Sequence, residues 1–265
     1  MSEALGPEQP RESHKYTVTW GRDTAEQLWD NYSSMGVNFT GKRLLDFGCA
    51  WGYLCLLALD RGCSHVVGVD IHPHWEKLDD KAVLARKGLS LIAGDLLTLD
   101  SLQGERFDVV VSSGTLFLLN SEYLDRVLQW FYDHLNPGGE ALLRTRCITA
   151  KSFNDLGSRL TVPGAQLLFS RRALDGVLMK KGYRNPKSHV GYIGSTWIMA
   201  CRAAGFDVMK VKRHSNSDVV RTAAAHYAKT RWLDPAEVAT GEISLHLRKP
   251  LQGDDLLPLR RQREP

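Results

Sequence analysis

Short apolar runs and longer helix-forming stretches alternate from Gly41 to Arg146. Leu44–Phe47, Val66–Val69, Leu89–Ala93 and Val109–Ser112 are each too short for a helix and fit buried strands. Tyr53–Arg61, between the first two, is rich in helix formers and apolar almost all round, as a helix buried against a sheet would be. Gly62 stands where a helix C-terminus favours a residue tolerant of positive φ. Strand, glycine-bearing turn, helix and strand make one βαβ unit, and such units hold ligands at the carboxyl edge of the sheet.

The flanking pattern extends this unit. Asp23 or Thr24 is expected to cap a helix reaching about Met35, with Leu28, Trp29 and Tyr32 on one side. Pro73 should start a helix over His74–Lys87 that turns Leu78, Val83 and Leu84 to the sheet. Leu124, Val127, Leu128, Phe131 and Leu135 recur at helical spacing over Tyr123–Leu135. Asn136-Pro-Gly-Gly ends that helix, and Glu140–Thr145 reads as the fifth strand. Ser195–Ala204 reads as a helix capped by Ser195 or Thr196 and stopped by Gly205, followed by a strand at Phe206–Val211 and a helix at Ser217–Lys229. Glu242–Leu247 alternates polar and apolar, which suits an antiparallel edge strand. The stretch 146–194 is too long for a plain loop, and its Gln166–Lys181 carries a helical apolar pattern.

The turn after the first strand carries the chemistry. Gly48 and Gly52 lack a Cβ, so a ligand could lie against the backbone where the helix starts. Asp70 ends the second strand, where a carboxylate can accept hydrogen bonds from both ribose hydroxyls. The spacing is Gly-x-x-x-Gly, and the position that would let a pyrophosphate approach holds Ala50 followed by Trp51. A nucleoside without phosphates fits better than a dinucleotide.

Asp46-Phe-Gly-Cys-Ala-Trp-Gly resembles the first motif of class I S-adenosylmethionine-dependent methyltransferases, with Ala50 in place of the usual middle glycine. Val69-Asp70 resembles the second motif, Ala93-Gly94-Asp95-Leu96 the third, Phe107–Gly114 the fourth strand, and Leu135–Glu140 the turn into the fifth. The resemblance implies an α/β fold: a Rossmann-like seven-stranded, mostly parallel sheet with helices on both faces, an antiparallel last strand and a helical lid inserted after strand 5. It implies S-adenosyl-L-methionine as cofactor. Asp46, Gly48, Cys49, Ala50, Trp51, Gly52, Asp70, Ile71, Gly94, Asp95, Leu96 and Ser113 are the residues it places at the cofactor, with Asp70 on the ribose, Asp95 on the adenine amino group and Cys49 as a small packing residue. One domain is expected over 15–250, with 146–194 capping the acceptor, between a disordered 1–14 and a flexible basic tail, 251–265.

Charge separates two halves of the chain. Residues 1–143 hold 12 Lys and Arg against 20 Asp and Glu, and residues 144–265 hold 22 against 10. An acidic half suits a sulfonium, and a basic half suits an anionic acceptor, although part of that charge belongs to the tail. Tyr16, Trp20, Arg22, Thr115, Arg146, Arg171, Arg172 and Tyr192 are candidate acceptor contacts, each of which could equally pack the fold or face solvent. His189 is the candidate general base, with His214 a further histidine in a plausible region. No Asn/Asp-Pro-Pro-Tyr follows the fourth strand, and no carboxylate set marks a magnesium-dependent acceptor site. His72 and His74 lack a third partner nearby, so no metal is expected. The five cysteines form no Cys-x-x-Cys pair, no apolar run approaches the ~20 residues of a membrane span, and Met1–His14 has no apolar signal region. A cytoplasmic methyltransferase acting on an O or N atom of a small, anionic molecule is the first reading. An RNA methyltransferase is the second, and a cofactor-binding partner subunit without catalysis is the third.

Overall fold

A computed structural model describes residues 21–78, 84–150, 192–215, 225, 229 and 234–251. The expectations for 1–14, Tyr16, Trp20, Val83, the Gln166–Lys181 helix, most of the Ser217–Lys229 helix and the tail beyond 251 lie outside these residues.

The strands are β1 (Arg43–Phe47), β2 (His65–Asp70), β3 (Leu89–Ala93), β4 (Phe107–Ser113), β5 (Leu135–Arg146), β6 (Asp207–Ser215) and β7 (Thr240–Arg248). They form one sheet in the order β3-β2-β1-β4-β5-β7-β6, with β7 antiparallel to both neighbours and the remaining pairs parallel. The strand order reverses between the parallel β1 and β4, so their carboxyl ends open onto a crevice, which is where such sheets hold ligands.

Each face of the sheet has its own core. Helices α1 (Arg22–Ser33) and α2 (Tyr53–Asp60) cover one face, with Leu28, Trp29, Tyr32, Leu57, Val109 and Leu142. Helices α3 (Ser121–His134) and α4 (Gly194–Ala203) cover the other, with Leu45, Val110, Phe131, Leu143 and Trp197. Successive residues of β4 and β5 feed opposite cores, which is why the central strands are apolar throughout. All five cysteines are free and buried.

Several local expectations change. No side chain caps α1: its N-cap is Gly21, and Asp23 sits in the first turn. Of the helix expected over His74–Lys87, the described residues show a 3-10 turn at His74–Lys77, an extended Leu78 and a helical Leu84, and 79–83 lie outside them. Leu78 and Leu84 still pack on the α1–α2 core. Strand β5 begins at Leu135, opposite Phe107, and its pairing shifts between that point and the Glu140–Val109 pair. The Pro-Gly-Gly segment is held there by β7's exit, where Gly138 N–H donates to Lys249 O and Lys249 N–H to Gly139 O. Neither Ser195 nor Thr196 caps α4. Instead the Glu237 carboxylate, on the short helix α5 (Pro235–Val238), accepts from Ser195 N–H at 3.0 Å and pairs with Arg213 at 2.8 Å. Ile148 N–H donates to Tyr192 O at 2.9 Å, just past the carboxyl end of β5.

Candidate functional site

The glycine-bearing turn is tied to the end of β2. Gly48 and Cys49 N–H groups reach Val69 O, and Ala50 N–H donates to Asp70 Oδ2 at 2.9 Å. The other Asp70 oxygen accepts from His72 N–H at 2.8 Å. Both oxygens keep a lone pair for a further donor. This anchoring holds Ala50 at φ +49°, a left-handed conformation that costs an alanine about 1 kcal/mol or more.

The two glycines serve the fold as well as any ligand. Gly48 has φ +80°, and a Cβ there would lie 1.9 Å from Thr115 Oγ1. Gly52, at φ +75°, starts α2, and a Cβ there would meet Leu91 at 3.1 Å. Thr115 and Leu91 therefore fill the space that the sequence left for a ligand at these two Cβ positions. Gly52 lines neither hollow at this edge.

Two hollows meet at Gly48. The larger, about 290 Å³, is walled by Asp70, Ile71, Gly94, Asp95, Leu96 and Thr115 among the expected residues, and by Phe47, Val69, Leu118, Leu119, Asn120 and Tyr123 besides. The smaller, about 30 Å³, lies between α1 and the turn: Asp46, Cys49, Ala50, Trp51 and Ser113 face it with Gly21, Thr24, Ala25, Leu28, Tyr53 and Leu54. No Lys, Arg or His lines either one among the described residues. Ile71 is 64% exposed and Leu118 39%, so two apolar side chains stand at the larger mouth.

Three carboxylates serve these hollows in different ways. Asp46 is buried, and burial pushes its pKa up to about 7, with the charge of Asp70 adding to the rise and a hydrogen bond from the Cys55 thiol opposing it. Asp95 caps the 3-10 turn Leu96–Thr98 through Leu97 N–H at 3.0 Å and also accepts from the Tyr123 hydroxyl. Burial and this bond to Asp95 raise the Tyr123 pKa, so the hydroxyl stays a donor. Cys49 packs with Cys55 against Gly68, where a Cβ would meet both sulfurs within 2.9 Å. Trp51 stacks on His74, with ring centroids 5.4 Å apart.

The neighbouring stretch of the same edge is basic. Arg144 lies opposite Ser113 in the β4–β5 ladder, and its carbonyl accepts from Gly114 N–H at 3.0 Å. Its Nε and Nη2 bind Glu242 Oε2 at 3.2 and 2.9 Å. Arg146 Nε lies 3.8 Å from Glu242 Oε1, and its guanidinium stands 5.0 Å over the Phe117 ring. Of the other expected acceptor contacts, Arg22 is exposed and lines neither hollow, and Tyr192 packs on Trp197. Tyr16, Trp20, Arg171, Arg172 and His189 lie outside the described residues. His214 stands on β6, separated from β4 by β5 and β7, and meets Ser244 Oγ at 2.9 Å.

The model of a methyltransferase domain matches residues 20–211. The chain belongs to this methyltransferase family. Its fold is the class I Rossmann-like one, its cofactor is S-adenosylmethionine, and the family is one of enzymes. The tRNA U34 carboxymethyltransferase of Azotobacter vinelandii is 37% identical over 112 residues, 41% of this chain and 34% of that protein. Protein arginine N-methyltransferase 1 of Dictyostelium discoideum is 33% identical over 108 residues, 39% of this chain and 31% of that protein. The matched part thus spans about a third of either curated relative. A methyltransferase structure from Mesorhizobium loti superposes with a TM-score of 0.55 at 23% identity, covering 86% of this chain and 100% of that one. The N-methyltransferase NodS of Bradyrhizobium japonicum, solved with S-adenosylhomocysteine, gives a TM-score of 0.53 at 15% identity, covering 90% and 91%. These two likenesses show the fold.

The donor set of this methyltransferase fits its cofactor on chemical grounds. A cationic nucleoside meets carboxylates and apolar rims and no opposing cation among the described wall residues. Tyr123 and the α1 residues had no signal in the motifs. Asn120, which caps α3 by accepting from Tyr123 N–H at 2.8 Å, is a visible capping residue, but the Tyr123–Asp95 bond joins positions 28 apart.

Among the described residues, no helix is long and apolar enough to cross a membrane, and no group of three His, Cys, Asp or Glu is placed to hold a metal.

Proposed function

We propose that this methyltransferase acts on an oxygen or nitrogen atom of a small anionic molecule. The carrying observation is the division of one sheet edge: three carboxylates line the hollows around Gly48, and the arginines of β5 begin one strand away, opposite Ser113. The sulfonium cofactor, when bound, supplies an activated methyl group. Asp70 would orient the nucleoside through the lone pairs its backbone partners leave free, and Asp95 and Tyr123 would bound the base end. Asp46, ionised by the approach of a cation, would favour the charged donor over its neutral product. Leu28, Leu54 and Leu118 exclude water, so the chain contributes positioning and a dry site rather than covalent chemistry.

Calorimetric titration with S-adenosylmethionine and S-adenosylhomocysteine tests the donor half. Micromolar binding to the wild type, weakened at least about a hundredfold in Asp70→Ala, is expected, because a hydrogen-bonded charge is removed together with the anchor of the turn. No binding to the wild type would sink the reading.

An RNA acceptor is the second reading. Similarity to tRNA U34 carboxymethyltransferases favours it, as do the exposed Lys210 and Lys212 on edge strand β6. Methyl incorporation into bulk RNA, lost on charge reversal at these two lysines, would move it to first place.

A further inference from the structure

Among the described residues at the carboxyl end of β5, Arg146 is the less satisfied arginine. Three charged side chains share one cluster there, two guanidiniums and one carboxylate, and they are unequally paired. Arg144 takes Glu242 Oε2 with two hydrogen bonds. Arg146 reaches only 3.8 Å from the remaining oxygen, beyond hydrogen-bond length, and its guanidinium makes no hydrogen bond among the described residues. Its side chain is 25% exposed, against 29% for Arg144 and for Glu242, so water compensates it only in part. Cation–π attraction to Phe117 at 5.0 Å helps hold it, but that ring bears no charge to neutralise it. The second ion pair on this side of the fold, Arg213 with Glu237, is balanced within itself. Among the described residues, the cluster therefore keeps a surplus of one positive charge where solvent is partly excluded.

The position of the surplus is as informative as its sign. Phe117 belongs to the turn directly after Thr115, the residue that fills the space over Gly48. The backbone beneath Arg146 is fixed from the other side, where Trp197 Nε1 donates to its carbonyl at 3.2 Å. Main chain and ring thus hold a planar, five-donor group at the carboxyl end of β5, beside the turn that follows β4, and a carboxylate or a phosphate is the chemistry that satisfies it.

We infer that Arg146 binds the anionic group, a carboxylate or phosphate, of a small acceptor, and that Glu242, by engaging Arg144, leaves Arg146 free to do so. This rests on the methyl-acceptor reading above. It adds to that reading the residue that recognises the acceptor and the reason its neighbour does not.

The test uses the full chain, with and without saturating S-adenosylhomocysteine, titrated calorimetrically with inorganic phosphate and separately with acetate. Saturable binding of at least one anion to the wild type is expected. It should weaken about ten- to a hundredfold in Arg146→Met, the loss of one charged hydrogen-bonding partner, and less in Arg146→Lys. It should be unchanged in Arg61→Met, whose arginine pairs with Glu26 elsewhere. S-adenosylhomocysteine affinity should be the same in all of them.

Wild-type anion binding retained in Arg146→Met would overturn the inference. So would the absence of any saturable anion binding to the wild type, or loss of S-adenosylhomocysteine binding along with the anion in Arg146→Met. If Arg146→Met does not fold, Arg146→Lys decides: weakened phosphate binding with unchanged cofactor binding supports the contact, and full phosphate affinity in a folded Arg146→Lys overturns it. A short single-stranded RNA that binds more tightly than either anion and is indifferent to Arg146→Met would overturn the small-acceptor assignment. Failure of the cofactor reading shows separately, as no S-adenosylhomocysteine binding to the wild type.

Discussion

The two halves of the carboxyl edge are built on opposite plans. Around Gly48, carboxylates sit in or beside hollows, and backbone amides from the same short segment hold Asp70 in place. One strand further, Arg144, Arg146 and Glu242 meet across 98 residues of chain, on β5 and β7. The hydrogen bonds of Asp70 and Asp95 join positions at most 28 apart, whereas the second half exists only once β7 lies antiparallel between β5 and β6. A methyl donor is the same molecule throughout a large family, and an acceptor is not. On the proposed reading, the constant ligand meets structure of shorter sequence range and the variable one meets structure assembled at longer range.

The strongest way to break the donor half is Gly48→Ala. The new Cβ would overlap the Thr115 side chain, with Oγ1 at 1.9 Å and Cβ at 2.7 Å, at a φ of +80° that alanine resists. A loss of about 2–5 kcal/mol of unfolding free energy is expected, overlap and backbone strain together. In a double-mutant cycle, Thr115→Gly should recover the overlap part and leave the strain. Chemical denaturation reads both; equal stability of Gly48→Ala and the wild type would show that Thr115 is not what the glycine accommodates.

Asp46 gives the donor half a pH signature that the acceptor half should lack. Its folded pKa of about 7 stands well above the ordinary carboxylate value of about 4. The folded chain therefore holds this proton more tightly than the unfolded chain. The corresponding stabilisation is complete below about pH 4 and is lost as pH rises through about 7, an effect on the order of a few kcal/mol. Asp46→Asn should flatten that slope and be the more stable protein at pH 8. Affinity for the cationic S-adenosylmethionine should rise with pH through the same window in the wild type only, and a pH-independent affinity would show that Asp46 does not sense the cofactor.

Much of this contrast was legible from the chain, and the reason is range. The βαβ unit with Asp46, Gly48 and Asp70 lies within about thirty residues, where strand length, turn glycines and helix formers determine one another. The boundaries of α1 to α4 were read well, as were the glycine ends at Gly62 and Gly205, but the N-caps of α1 and α4 were not. The α4 cap comes from Glu237, 42 residues away, and α1 starts at Gly21 with no side-chain bond at all. At the start of the His74–Lys87 pattern the chain makes a 3-10 turn through Lys77 and is extended at Leu78, so the helical spacing does not begin a helix at Pro73. The space at Gly48 was read as room for a ligand because nothing nearby in sequence announces Thr115, 67 positions on. Arg146 was picked out for its charge alone; that its neighbour takes the better part of Glu242 depends on the register between β5 and β7.

Glu242→Gln sharpens the acceptor half with a smaller effect. Two guanidiniums would then share a neutral partner, and about 1 kcal/mol of stability should be lost, as for a partly exposed ion pair. Phosphate affinity should rise severalfold at the same time, because the competing carboxylate has gone, while S-adenosylhomocysteine affinity stays fixed. A fall in phosphate affinity would mean that Glu242 orients Arg146 more than it competes with the anion.

The smallest expected effect concerns the position where this chain departs from its family's glycine. Ala50 sits at φ +49°, the one non-glycine residue with positive φ among those described. Its N–H is spent on Asp70 Oδ2, so the strain is held by the bond that also orients the carboxylate. Ala50→Gly removes the steric cost of about 1 kcal/mol but gives the unfolded chain more freedom, which returns about 0.4–1 kcal/mol. Net stability should therefore change by less than about 1 kcal/mol. S-adenosylhomocysteine affinity should fall slightly, since a relaxed turn constrains Asp70 less. An affinity gain instead would mean that the alanine methyl, which borders the smaller hollow, obstructs the ligand rather than stiffening its anchor.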